Sequence, residues 1–197
     1  MSDIAGSNQR KTENESELYP DFSQNYFQLF GLQEAYTISA DELEKAYLTL
    51  QKQAHPDKFA NDSRQQLVAV QYSSFINKAY ETLCSPLLRA QYLLDIYGIS
   101  VDLETITIQD HDFLMEQMEL RETLAEIKES KNPQQELKNL MQSINEKITG
   151  LQHQFDDLWQ NRNNESLTAA IPVLHKMYFF YKLLHEARIE EEQLLKI

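Results

Sequence analysis

Residues 39–83 read SADELEKAYLTLQKQAHPDKFANDSRQQLVAVQYSSFINKAYETL, and their spacing decides the fold. Ser39 stands three residues before Glu42 and just ahead of an apolar run, the pattern of a capping box that opens a helix. Leu43, Ala46, Tyr47 and Leu50 then fall on one helical face. Pro56 must end that helix, because its ring pushes His55 out of helical geometry. A second stripe follows at the same period: Val68, Tyr72, Phe75, Ile76, Ala79, Tyr80 and Leu83. The two apolar faces meet if the chain reverses at residues 55–60, which predicts an antiparallel helix pair.

Upstream, YFQLFGL at 26–32 is a short apolar segment with Gly31 as its helix stop. Residues 1–22 are polar and bury too little to offset their ordering entropy, so a disordered tail is expected there. Downstream, Ser85 followed by Pro86 reads as a cap with proline in the first turn, and Gly98 closes that helix. The first unit is therefore expected to span residues 24–98. Residues 99–109 are β-branched and polar without a helical stripe, and read as a linker. Three longer helices are predicted at about 110–130, 133–161 and 165–197, with Pro172 kinking or delaying the last. In the middle one, Leu137, Leu140, Met141, Ile144, Ile148, Leu151, Phe155 and Leu158 recur at three- and four-residue steps. Short turns between three such helices predict an antiparallel three-helix bundle, and the fold class is all-α.

Composition narrows the function. The 197 residues carry 18 Lys plus Arg against 31 Asp plus Glu, a formal charge of −13. Nucleic acid and anionic membranes both demand a basic surface, so neither is an expected partner. Cys84 is the single cysteine, which excludes an internal disulfide or a cysteine zinc cluster, and it is expected to be a small packed residue. The histidines, at 55, 111, 153, 175 and 185, show no metal-ligand spacing, and His153 and His175 are expected at helix surfaces or interfaces. There is no glycine-rich phosphate loop and no nucleophile elbow. No catalytic residue, metal or cofactor is expected. The apolar runs are too short to span a bilayer, and no secretory signal follows Met1, which makes the cytoplasm the expected address. A monomer, or weak self-association through exposed apolar side chains, is the expected state.

Two surfaces carry information. The first is the turn His55-Pro56-Asp57-Lys58, rigidified by proline and preceded by a helix bearing Lys45 and Lys52. Read blandly, it is a helix connector whose His and Asp cap helix ends. A metal-dependent hydrolase built on His55 and Asp57, or a purely structural adaptor, are further readings. Its placement between two amphipathic helices resembles the J-domain, the module that stimulates ATP hydrolysis by DnaK-type chaperones. The second surface lies on the helix from 110. On a helical wheel Phe113, Leu120, Leu124 and Ile127 cluster as a core stripe. Leu114, Met115 and Met118 fall elsewhere, beside Glu119, Glu122 and Glu126, an acidic-apolar mixture suited to docking. On the last helix Leu167, Ala170, Leu174, Met177, Tyr178, Tyr181 and Leu184 form the main stripe, whereas Phe179 and Leu183 point away from it with no evident core role. Pattern alone leaves core and docking surface equally open for these off-stripe residues.

Together, residues 26–32, the turn at 55–60 and FLMEQMELRE at 113–122 are similar, in that order, to the HscB family of J-type co-chaperones of iron–sulfur cluster assembly. The resemblance covers residues 26–197. It implies a J-domain whose contact with an HscA-type, DnaK-like ATPase uses His55, Pro56, Asp57, Lys58, Lys45 and Lys52. It implies further that the C-terminal bundle binds an IscU-type scaffold through Leu114, Met115, Met118, Glu119, Glu122, Glu126 and Phe179. A J-domain co-chaperone serving a different client is the alternative. Ala54 stands where many J-domains carry tyrosine, and the cysteine-based N-terminal module of some relatives is absent from this sequence.

Overall fold

A computed structural model describes residues 20–104 and 110–196. The described residues are helical, without strands, as the periodicity predicts. α1 (Tyr26–Leu29) is opened by a reciprocal capping box between Asn25 and Gln28. α2 (Ala40–Gln53) is capped by Ser39, whose hydroxyl accepts from the Glu42 amide. A single 3₁₀ turn, Pro56–Phe59, separates α2 from α3 (Ser63–Cys84), which Asp62 caps. Ser85 caps α4 (Pro86–Ile96). Gly31 and Gly98, at φ +66° and +81°, supply the left-handed residues that stop α1 and α4.

α5 (His111–Glu126) runs into a 3₁₀ turn at Ile127–Glu129. α6 (Pro133–Asn161) and α7 (Asn164–Leu194) then pair along their length. Arg162 makes the reversal between them in a left-handed conformation (φ 48°) that is costly for a side chain with a Cβ. Its guanidinium offsets that cost by bonding the Glu34 carbonyl at 2.9 Å and lying over the Trp159 ring. Pro172 does not delay α7, which starts eight residues earlier at Asn164 and carries the proline inside it.

Two apolar cores share the α6–α7 pair. The second core is the expected bundle: Phe113, Leu124 and Ile127 pack on Ile144, Ile148, Phe180 and Leu183. The first joins the N-terminal helices to the other end of the pair. Phe27, Leu43, Ile76, Leu83, Leu93 and Leu94 form one cluster with Phe155, Trp159, Leu174 and Met177. The Phe155 ring lies 4.8 Å from Tyr36, and Trp159 sits edge-on to Tyr97 at 5.0 Å. Arg89, buried beside them, donates to the Tyr36 carbonyl at 2.8 Å. Burial lowers the Arg89 pKa and raises that of the Tyr36 hydroxyl.

Three expectations change. Phe179 and Leu183 are core residues, at 7% and 0% exposure, because α7 is covered by more than one neighbour and buries most of its circumference. Trp159 is buried while Leu158 is only partly so, since the N-terminal helices cover that side of α6. Cys84, the last residue of α3, is exposed, not packed. Of the two histidines expected at helix surfaces or interfaces, His153 is on the surface and His175 is buried between packed helices, at 5% exposure. Of the tail read at 1–22, residues 1–19 lie outside the described residues, and Phe22 rests edge-on against Tyr72 and Phe75. Residues 105–109 of the linker also lie outside them; Val101, before that stretch, is buried in the first core.

Candidate functional site

The turn after α2 is fixed from three directions. Ala54 is fully buried, and its amide closes α2 by bonding the Leu50 carbonyl at 2.9 Å. Its own carbonyl, with no further helical turn to receive it, accepts from the Ser73 hydroxyl of α3 at 3.1 Å. Pro56 then sets the backbone, and the Lys58 amide returns to the His55 carbonyl at 3.0 Å. What this scaffold presents is polar and exposed. The His55 side chain is 58% accessible and that of Asp57 88%.

The Asp57 amide donates to His55 Nδ1 at 3.3 Å. Neutral His55 therefore carries its proton on Nε2 and offers a donor outward, beside the Asp57 carboxylate as acceptor. The Asp57 carboxylate lies 3.6 Å from the same Nδ1. Lys58 on the turn and Lys45 and Lys52 on α2 are exposed cations within about three helical turns of it. Among the described residues no cluster of His, Cys, Asp and Glu could hold a metal ion, so His55 and Asp57 have no further ligands to complete a hydrolytic centre. The constellation suits recognition by hydrogen bonds and charge.

On α5, Leu114, Met115 and Met118 are exposed at 43%, 46% and 57%, in one strip with the exposed Glu119, Glu122 and Glu126. Phe113 and Leu124 anchor the opposite side in the bundle core. Phe179 lies under this strip, not in it. Its ring meets Phe113 and Phe180 edge-on, and the Arg121 guanidinium lies 5.6 Å above its centroid. Two ion pairs hold α5 in place, Lys147 of α6 with Glu116 and Lys176 of α7 with Asp110 at 2.7 Å. The Asp110 carboxylate also caps α5 through the Phe113 amide. Its pKa is lowered, first by the Lys176 hydrogen bond. Sequence reasoning missed Ser73, Lys147 and Lys176, which act across 19 to 66 residues of chain where no local pattern signals a contact.

Two helices joined by a proline-rigidified His-Pro-Asp turn define the class: this is a J-domain protein, a co-chaperone type that works with DnaK-type ATPases. Residues 25–92 match the DnaJ domain family, and residues 109–188 match the family described as the HSCB C-terminal oligomerisation domain. The co-chaperone protein HscB homolog of Shewanella denitrificans is 41% identical over 172 residues, covering 87% of this chain and 99% of its own. The chain belongs to the HscB family of co-chaperones, and its members are not enzymes. Solved structures agree. Chaperone HscB from Vibrio cholerae superposes with a TM-score of 0.79 at 38% identity, over 86% of this chain and 99% of that one. Human co-chaperone protein HscB does so with 0.77 at 28%, over 87% and 84%. No helix among the described residues is long and apolar enough to cross a membrane.

Proposed function

We propose that this protein couples an HscA-type ATPase to an IscU-type iron–sulfur scaffold in the cytoplasm. The observation that carries the reading is the pairing of an exposed, preorganised His55-Pro56-Asp57 turn with an exposed acidic-apolar strip on α5, on two cores that share α6 and α7. His55, Pro56, Asp57 and Lys58, with Lys45 and Lys52, contact the ATPase. Leu114, Met115 and Met118 supply apolar contact to the scaffold, and Met side chains adapt to an irregular partner surface. Glu119, Glu122 and Glu126 set register and association rate with a basic patch on the scaffold. Phe179 acts from beneath, supporting Arg121 and Phe113. The iron–sulfur cluster is cargo on the scaffold. Joining two weak contacts on one adaptor raises the scaffold's local concentration at the chaperone without a new contact between them.

The test is steady-state ATP hydrolysis by the chaperone with scaffold alone, this protein alone, and both. More-than-additive stimulation is expected, abolished by His55→Gln, while scaffold binding by the variant is unchanged. Stimulation indifferent to the scaffold would assign the bundle another client. Loss of both activities in His55→Gln would refute the division into two sites.

A further inference from the structure

Beside the α5 strip a groove of about 740 Å³ runs between α5 and the α6–α7 pair. Leu151 lies at its base with the buried rings of Phe113 and Phe180, over which the Lys176 and Lys147 ammonium groups sit, and the Glu116–Lys147 and Asp110–Lys176 ion pairs span it. Met115 and Glu119 belong to both the groove and the strip, so one surface passes into the other.

Two features of this groove bear on what it could hold. Gly150 lines it from the middle of α6, where glycine is the least favourable residue after proline. Its φ is not positive, and a Cβ built there meets nothing within 4 Å, so no internal contact requires glycine. The second is charge. Four carboxylates face two ammonium groups in the lining, and neither Asp112 nor Glu119 forms an ion pair among the described residues. A bare stretch of backbone beside carboxylates outside any ion pair and the apolar Met115 and Leu151 has the chemistry to receive an extended chain carrying a cation next to an apolar side chain.

We propose that the scaffold docked on the α5 strip threads such a segment into this groove, its apolar side chain beside Met115 and Leu151 and its basic side chain at Asp112 and Glu119. This rests on the reading of the α5 strip given above. Gly150 is then the gap through which the segment approaches α6, and the groove adds specificity to a strip that is otherwise only acidic and apolar.

Titration calorimetry of the full-length protein with purified apo IscU-type scaffold tests it, with Met118→Ala as the reference for the strip. Gly150→Phe fills the groove and is expected to weaken binding about tenfold or more. Asp112→Asn is expected to weaken it several-fold and to flatten its salt dependence. Chaperone stimulation without scaffold should be unchanged in both. Gly150→Phe and Asp112→Asn binding like wild type while Met118→Ala binds weakly would overturn the groove and spare the strip. Wild-type affinity in all three would overturn the strip and the groove with it. Should thermal melting show Gly150→Phe misfolded, Asp112→Asn decides alone.

Discussion

Phe155 is where the two halves of the chain have most to lose. Its ring is fully buried in α6, yet it packs on Tyr36 and within the cluster of Leu43, Ile76 and Leu83. Replacing Phe155 by Ala removes a fully buried aromatic ring where α6, α7 and the N-terminal helices all abut, so little collapse into the void is open. Such truncations cost about 3–5 kcal/mol. If the first core unfolds as one unit, that loss reaches α3, which is remote from Phe155 along the chain. Native-state hydrogen exchange reads it directly. The slowest amides of α3 should exchange faster by roughly two to three and a half orders of magnitude, since about 1.4 kcal/mol is tenfold. Leu83→Ala, the reciprocal change in α3, should likewise release residues 155–177 of α6 and α7. Acceleration confined to α6 and α7 in Phe155→Ala, with α3 at its wild-type rate, would refute the shared unit and make the N-terminal helices a separately folding domain.

Two other outcomes follow from single contacts. Ser73→Ala removes the hydroxyl that anchors the Ala54 carbonyl, a loss of about 1 kcal/mol for a neutral hydrogen bond; the chaperone concentration for half-maximal ATPase stimulation should rise several-fold with scaffold affinity unchanged, and Ser73→Thr should restore it. Asp110 has a folded-state pKa below its ordinary 3.8, so its contribution to stability is present above that pH and lost as pH falls through the lower folded value; Asp110→Asn should be less stable than wild type at neutral pH, and the gap should close in acid-unfolding curves taken below about pH 4.

Much of the fold was legible because local chemistry and tertiary packing agree. Ser39, Ser85 and Pro133 mark helix starts by their own hydrogen-bonding and dihedral preferences, and the structure opens helices beside each. The α2 and α3 stripes meet because a two-helix contact buries one face of each helix, which is the case a wheel describes well. The wheel failed on α7, where a stripe assumes one neighbour and the helix has several; Phe179 and Leu183 were legible as apolar but not as buried. At the candidate site the exposed members of α5 stood out because Leu114, Met115 and Met118 break the stripe set by Phe113, Leu120 and Leu124. The groove beside them was not legible at all. Its walls come from residues 110–119, 147–151 and 176–180, and its one sequence trace, Gly150, is silent until a helix is known to surround it.

The 31 residues of α7 make a rod about 46 Å long, with one end in each core. A flexible tether admits any two partners within reach and averages over their orientations. A strut admits only a pair whose docking faces are set apart by its own length and turned by its own angle. If the two proposed sites are occupied together, the spacing of chaperone and client is thus a matter of surveying as well as of chemistry, because both faces are built on cores joined by the same rod.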